Sequence, residues 1–147
     1  GGSPLQNLIV LGKEETKLSA LKVVKELDAG PIYLKKELNL YGNAEEIFLR
    51  ANSIIEHMII EIIVDNLEPK EQIGDIVHFK RRKPNQSKIK KILNLNELFN
   101  FFRMLDIDEK NFPKANLKFG KFKYEFSNTK KIRNILKANV VIKYINR

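Results

Sequence analysis

The chain has no cysteine and only two histidines, His57 and His78, in 147 residues. Without cysteine it forms neither a disulfide framework nor a thiolate metal site, and two histidines do not complete a structural zinc site. We therefore expect no metal, and we interpret both histidines as structural or solvated side chains.

The chain also lacks long hydrophobic runs. Its longest apolar stretch, residues 57–66, is interrupted by Glu61 and is far shorter than the roughly 20 residues that span a bilayer. No basic segment followed by an apolar one, the form of a signal peptide, opens the sequence. These absences predict a cytoplasmic protein without a membrane partner.

Basic residues outnumber acidic residues by 27 to 18, which gives a formal net charge of +9. They are unevenly placed, because residues 77–96 contain seven basic side chains and no acidic one. Such a block attracts phosphate groups, although a solvated basic surface explains it as well. The apolar content of 43% is that of a folded protein.

The first half of the chain combines helical and strand patterns. Pro4 begins a predicted helix, and the alternation over residues 16–27 and 31–40 predicts two strands. A long amphipathic helix follows, because Asn43 and Glu46 form a capping-box pattern ahead of apolar residues at three- and four-residue spacing.

The pattern breaks after this long helix. Residues 76–80 predict a short strand, and the basic segment 81–91 leads from it to a helix capped by Asn94. Three more strands are predicted, over residues 115–119, 121–127 and 139–145. We therefore divide the chain into domains 1–75 and 76–147, the second being a helix with an antiparallel sheet.

Several stretches together resemble a known family. The order and spacing of "GGSPLQN", "ELDAGPI" and the capped helix are similar to the second half of the catalytic domain of formyltransferases that use 10-formyltetrahydrofolate. The stretches "FKRRKP" and "FFRMLD" with "FPKA" look most like the short C-terminal modules of the branches acting on tRNA and on nucleotide-linked amino sugars. The resemblance implies an α/β fold, with the second half of a Rossmann-like catalytic domain in residues 1–75 and a small C-terminal module in residues 76–147.

The resemblance places the loop around Asp28 in the active site. The catalytic Asp of the family lies in the loop that matches "ELDAG", so Asp28 is the implied catalytic acid. The pterin end of the folate lies against the same loop, which makes Glu26, Leu27, Asp28 and Gly30 the implied cofactor-binding residues. Without the resemblance, "DAG" is an ordinary turn in which the glycine takes a positive φ.

Two further groups of residues are assigned to the acceptor. The resemblance puts Ser3 and Gln6 of "GGSPLQN" at the acceptor side of the cleft. Lys80, Arg81 and Arg82 hold the phosphates of a nucleotide sugar or of a tRNA in this interpretation, while a solvated basic linker is the alternative.

The expected chemistry needs more than Asp28. An amine that attacks a formyl carbon must lose a proton, the oxyanion needs donors, and the leaving folate nitrogen must be protonated. In the family an Asn and a His stabilise the oxyanion while the Asp orients the His and relays protons. Neither histidine here matches the family His by motif, so we expect this chain to be the C-terminal part of an enzyme and to be inactive alone.

Three functions stay open on these grounds. The first is formyl transfer from 10-formyltetrahydrofolate to the amino group of a nucleotide-linked amino sugar, an assignment suggested by the short C-terminal module. The second is formylation of methionyl-tRNA, because the basic segment suits an RNA backbone. The third is a non-catalytic basic module that binds polyanions. The oligomeric state is open.

Overall fold

The computed structural model describes residues 2–90, 92, 94–108 and 112–145. Its elements, in chain order, are α1 (Pro4–Val10), β1 (Glu15–Leu21), β2 (Ile32–Asn39), α2 (Ala44–Val64), a 3-10 turn (Pro84–Ser87), α3 (Leu95–Arg103), β3 (Ala115–Phe119), β4 (Phe122–Ile132) and β5 (Ile135–Tyr144).

The strands β1 and β2 form an antiparallel hairpin, with Glu15 opposite Asn39 at one end and Leu21 opposite Ile32 at the other. The prediction that β1 continues to residue 27 is wrong. The strand β1 ends at Leu21, and the backbone N–H of Lys22 donates to the carbonyl of Pro31 at 2.8 Å and closes the loop that follows. Residues 22–31 therefore form a wide connection between the two strands.

The helix α2 begins as the sequence predicts. The Asn43 side chain accepts from the backbone N–H of Glu46 at 2.9 Å, and the Glu46 carboxylate accepts from the backbone N–H of Asn43 at 2.8 Å. One face of the helix is buried, through Ala44, Ile47, Ala51 and Met58. A second face is apolar but exposed, through Leu49, Ile55, Ile59, Ile60, Ile63 and Val64.

The predicted strand over residues 76–80 is wrong. These residues have no regular secondary structure, and Ile76 and Val77 are 81% and 72% exposed. The segment pairs with no strand among the described residues. Its end, from Phe79 to Arg81, instead packs closely against the backbone of Gly2.

The C-terminal part contains α3 and an antiparallel sheet in the order β3-β4-β5. Asn94 caps α3, and Gly120, at a φ of 57°, makes the predicted turn between β3 and β4. The strands β4 and β5 are longer than predicted because they continue to a second tight turn at residues 133–134.

One cluster of buried apolar side chains connects both parts of the chain. It contains Ile9, Leu38, Leu40, Ala44, Ile47, Ala51, Phe102, Met104, Leu105, Ile107 and Ala115. Phe102 of α3 stacks on Phe126 of β4 with ring centroids 4.8 Å apart. No helix in the described part of the chain is long and apolar enough to cross a membrane.

Candidate functional site

The loop of residues 22–31 is held by a side chain from a distant part of the chain. The amide Nε2 of Gln72 donates to the carbonyl oxygens of Asp28 at 2.9 Å and of Gly30 at 2.8 Å. Gln72 lies in the connection that follows α2, where no sequence pattern marked it. A single amide thus fixes the backbone on both sides of Ala29.

The conformation of this loop differs from the expected turn. Asp28, not a glycine, takes the left-handed conformation, with a φ of 58°. Gly30 is needed for space instead, because a Cβ at this position would lie 1.8 Å from the carbonyl oxygen of Lys22. The aspartate and the glycine therefore serve different purposes in the same turn.

The loop borders a cavity of about 270 Å³. The cavity is lined by residues 21–28 and by Gly30, so the implied cofactor-binding residues Glu26, Leu27 and Asp28 lie together around it. Leu27 is 86% exposed and offers an apolar contact at the rim. These three residues therefore share one cavity.

A second group joins the start of the chain to the basic segment. The Oγ of Ser3 accepts from the backbone N–H of Arg82 at 3.3 Å. The Nδ2 of Asn7 donates to the carbonyl oxygens of Gly2 at 2.8 Å and Ser3 at 3.0 Å, and the carbonyl of Lys80 lies 3.4 Å from it. The structure therefore brings together two segments that the sequence assigned separately to the acceptor.

The side chains of this group differ in exposure. Lys80 and Arg81 are exposed, whereas Arg82 is half-buried, and this burial lowers the pKa of its guanidinium. Gln6, assigned to the acceptor from the sequence, is only 7% exposed. Of these residues, Lys80 and Arg81 are the ones directly available to a phosphate.

The C-terminal sheet and its turns form a second basic region, which was not singled out from the sequence. Residues 112–145 contain nine lysines and arginines and one acid, Glu125, so this segment carries +8 of the formal charge of +9. Glu125 forms ion pairs with Lys123 at 2.6 Å and Lys143 at 2.5 Å. The hydrogen bonds from Lys123 and then Lys143 lower the pKa of Glu125.

Two arginines hold the chain that follows β2, and neither was singled out from the sequence. The Nη2 of Arg50 donates to the carbonyls of Asn39 at 3.1 Å and Tyr41 at 2.6 Å. From the other side, the Nη1 of Arg103 donates to the carbonyls of Leu40 at 2.5 Å and of residue 42 at 3.0 Å. The carbonyls of residues 39 and 41 are therefore bound by Arg50, and those of residues 40 and 42 by Arg103.

Among the described residues, no three His, Asp or Glu side chains come together in a group that could hold a metal ion. The polar side chains at the two candidate sites are carboxylate, amide, hydroxyl and cationic groups. Their arrangement suits the binding of a polar heterocycle at the loop and of phosphate groups at the basic surfaces.

Comparison with known proteins finds similarity first in the C-terminal part of the chain. The family profile described as "Methionyl-tRNA formyltransferase, C-terminal domain" matches residues 84–143. Methionyl-tRNA formyltransferase of Thermotoga maritima is 37% identical over an alignment 78 residues long, which covers 49% of this chain and 25% of that protein.

Solved structures extend the match over nearly the whole chain. Methionyl-tRNA formyltransferase from Clostridium thermocellum superposes with a TM-score of 0.91 and 43% identity over 98% of this chain and 63% of that one. An N-formyltransferase from Helicobacter canadensis, solved with folinic acid and dTDP-3-aminofucose, has a TM-score of 0.60 and 16% identity, covering 91% of this chain and 55% of that one. At that identity the likeness shows the fold alone.

These matches confirm the resemblance inferred from the sequence. The chain has the mixed α/β fold of the C-terminal part of formyltransferases. Within that family, the relatives at 37% and 43% identity are methionyl-tRNA formyltransferases. The chain spans a quarter of the length of the Thermotoga relative and 63% of the Clostridium chain.

Proposed function

We propose that this chain is the C-terminal part of a methionyl-tRNA formyltransferase, which moves the formyl group of 10-formyltetrahydrofolate to the amino group of methionyl-tRNA. The observation that carries this proposal is the 43% identity with the Clostridium enzyme across 98% of the chain. The amino-sugar acceptor favoured by the sequence analysis has weaker support, because the N-formyltransferase from Helicobacter canadensis solved with dTDP-3-aminofucose shares only 16% identity.

The proposal includes the expected division of the chain. Residues 1–75 form the second half of a Rossmann-like catalytic domain, and residues 76–147 form the C-terminal module. The exposed apolar face of α2 supports the first part, since Ile59 and Ile63 are 51% and 72% exposed. Large exposed apolar faces mark surfaces that pack against something else, as a helix on a larger sheet does.

In the donor site, the loop of residues 22–31 borders the pterin end of the folate. Asp28 is the catalytic acid, and Glu26, Leu27 and Gly30 contribute the surrounding backbone. Support comes from the cavity along this loop and from Gln72, which fixes the carbonyls on either side of Ala29. Gln72 acts through the backbone and is thus a positioning residue.

The acceptor tRNA lies along the basic sheet and the segment of Lys80 and Arg81. Support comes from the charge of +8 in residues 112–145 and from the aromatic side chains beside it, where Phe122 and Tyr144 form an edge-on pair 5.7 Å apart. A polyanion that releases counterions from several phosphates binds such a surface, with an affinity that falls steeply as salt is added.

The salt dependence of acceptor binding tests this proposal. We expect methionyl-tRNA to bind with a slope of log K against log[salt] several times steeper than that of a dTDP-linked amino sugar. Replacing the exposed Lys118 and Lys137 with alanine should reduce the tRNA slope by about 2, one per lost phosphate contact. The matched control replaces Lys13 and Lys35, exposed lysines outside the sheet, and should leave the slope unchanged.

Tighter binding of the sugar nucleotide, or a tRNA slope that the sheet variants do not change, would contradict the proposed acceptor. The control pair removes the same charge as the sheet pair. If only the total positive charge mattered, the two double variants would lower the tRNA slope equally.

A further inference from the structure

A second cavity, of about 440 Å³, lies at the opposite end of the β1–β2 hairpin from the Asp28 loop. The loop follows the Leu21–Ile32 pair and the cavity adjoins the Glu15–Asn39 pair, six residues along the ladder. Because a strand rises about 3.3 Å per residue, the Asp28 loop and this cavity lie roughly 20 Å apart. The proposed function gives this cavity no part in formyl transfer.

The helix α3 contributes a polar stripe to this cavity through Asn96, Asn100 and Arg103, at positions i, i+4 and i+7. The Asn100 Oδ1 accepts from the Nε of Arg103 at 2.9 Å, and the Asn96 Oδ1 accepts from the Nζ of Lys131. Both amide oxygens thus accept from cations, and among the residues that the structure describes neither asparagine amide N–H group has an acceptor.

Arg103 is the central cation of this cavity and is only 7% exposed. Its Nε and Nη1 bind the Asn100 side chain and two backbone carbonyls, whereas its Nη2 has no acceptor among the described residues. No carboxylate in the described part of the chain pairs with this buried guanidinium. A buried cation without a paired acid favours an anionic ligand.

The cavity also offers aromatic surface and one acceptor. The ring of Phe99 lies below the guanidinium carbon of Arg103, 5.7 Å from it, and Tyr41, which is 63% exposed, lies at the rim. Glu14 supplies a carboxylate to the same lining. Cations for phosphate, aromatic rings for a base and a carboxylate for hydroxyl or amino groups are the partners that a nucleotide needs.

We infer that this cavity binds one nucleoside monophosphate unit, with the phosphate on Arg103 Nη2 and Lys131 and the base at the Tyr41 rim. The volume lies within the range of small-molecule sites. The inference goes beyond the proposed function, because nucleotide binding here needs neither the folate nor the Asp28 loop. The unit is either a free nucleotide or one nucleotide of an RNA strand.

The test is titration of the 147-residue chain with AMP, followed by the backbone and side-chain amide signals in nuclear magnetic resonance spectra. We expect saturable shifts at Gly12, Gly42 and the side-chain amides of Asn96 and Asn100. Replacing Lys131 with alanine should weaken AMP binding about tenfold, the effect of losing one charge-assisted hydrogen bond. Lys130→Ala is the matched control, since it removes the same charge one residue away and should change the affinity less than twofold.

Arg103→Ala removes backbone contacts as well as the anion donor, so the Lys131 and Lys130 pair decides the matter if that variant fails to fold. Equal weakening by both lysine variants, absence of saturation, or inorganic phosphate or adenosine binding as tightly as AMP would each overturn the inference. The trinucleotide ApApA distinguishes the two sources. Binding tighter than that of AMP indicates an RNA strand, and equal binding indicates a free nucleotide.

Binding of AMP and binding of methionyl-tRNA are separate measurements. If AMP does not bind while the salt slope for tRNA is steep and depends on Lys118 and Lys137, the further inference fails and the proposed function stands. If AMP binds while methionyl-tRNA does not, the further inference stands and the proposed acceptor is wrong.

Discussion

Replacing Gly30 with alanine tests the geometry of the loop that carries Asp28. The added Cβ would lie 1.8 Å from the carbonyl oxygen of Lys22, whereas ordinary contacts begin near 3.4 Å. Lys22 and Gly30 must therefore move apart by about 1.6 Å, the difference between these two distances. A shift of that size breaks the 2.8 Å hydrogen bond between the Lys22 N–H and the Pro31 carbonyl.

The expected cost combines two contributions. A hydrogen bond contributes about 1 kcal/mol, and forcing an extra methyl group into a close contact costs about 1–3 kcal/mol. We therefore expect Gly30→Ala to lower the free energy of unfolding by about 3 kcal/mol and the melting temperature by about 10 °C. Urea unfolding followed by circular dichroism measures the first quantity, and thermal melting measures the second.

Gly120→Ala is the matched control for this prediction. Gly120 has a φ of 57° and no heavy atom within 4 Å of an added Cβ, so alanine there adds backbone strain without a clash. That strain costs about 1 kcal/mol. A Gly30→Ala variant no less stable than Gly120→Ala would refute the steric argument and the close approach of Gly30 to Lys22.

Three further variants test other parts of the account. Asn43→Ala should lower the free energy of unfolding by about 1 kcal/mol in urea, while Asn43→Ser retains the cap and should cost little; equal losses would argue against the capping box. The lysine partners of Glu125 lower the pKa of its carboxyl group in the folded state. The ionised carboxylate therefore stabilises the fold at pH values above 4.5, the usual pKa of glutamate, and this contribution is lost as the pH falls through the folded-state pKa. Stability measured from pH 7 down to pH 3 should therefore fall less steeply in Glu125→Gln, and parallel curves would contradict the assignment. Gln72→Ala should speed amide hydrogen exchange in residues 22–31 without changing it in β3–β5, and unchanged exchange would mean that Gln72 does not hold the loop.

Local chemistry made some elements predictable from the sequence. The capping residues Asn43 and Asn94 set the starts of α2 and α3, and Gly120 set the turn between β3 and β4, because each acts on its immediate neighbours. The strand predicted over residues 76–80 failed because a strand depends on a partner, and that segment packs against Gly2 at the other end of the chain.

Some residues of the candidate sites were assigned from the sequence, and others were not. The assignment of Asp28 and its loop rests on the match to "ELDAG", and that of Ser3 and Arg82 on neighbouring stretches, whereas no pattern predicts the direct contact between Ser3 and Arg82. Gln72 and Arg103 were missed because their partners are distant backbone carbonyls, which leave no trace in spacing. The charge of residues 112–145 was visible in composition but is spread over three strands.

The central claim is that residues 22–31 form the donor-binding loop of a folate-dependent enzyme, and hydrogen exchange in the presence of 5-formyltetrahydrofolate tests it most directly. We expect the ligand to slow exchange in residues 22–31 and not in β3–β5, with the effect reduced in Gly30→Ala. Exchange that is unchanged across the loop, in a chain that still binds tRNA, would contradict the claim and indicate a basic module that binds polyanions only.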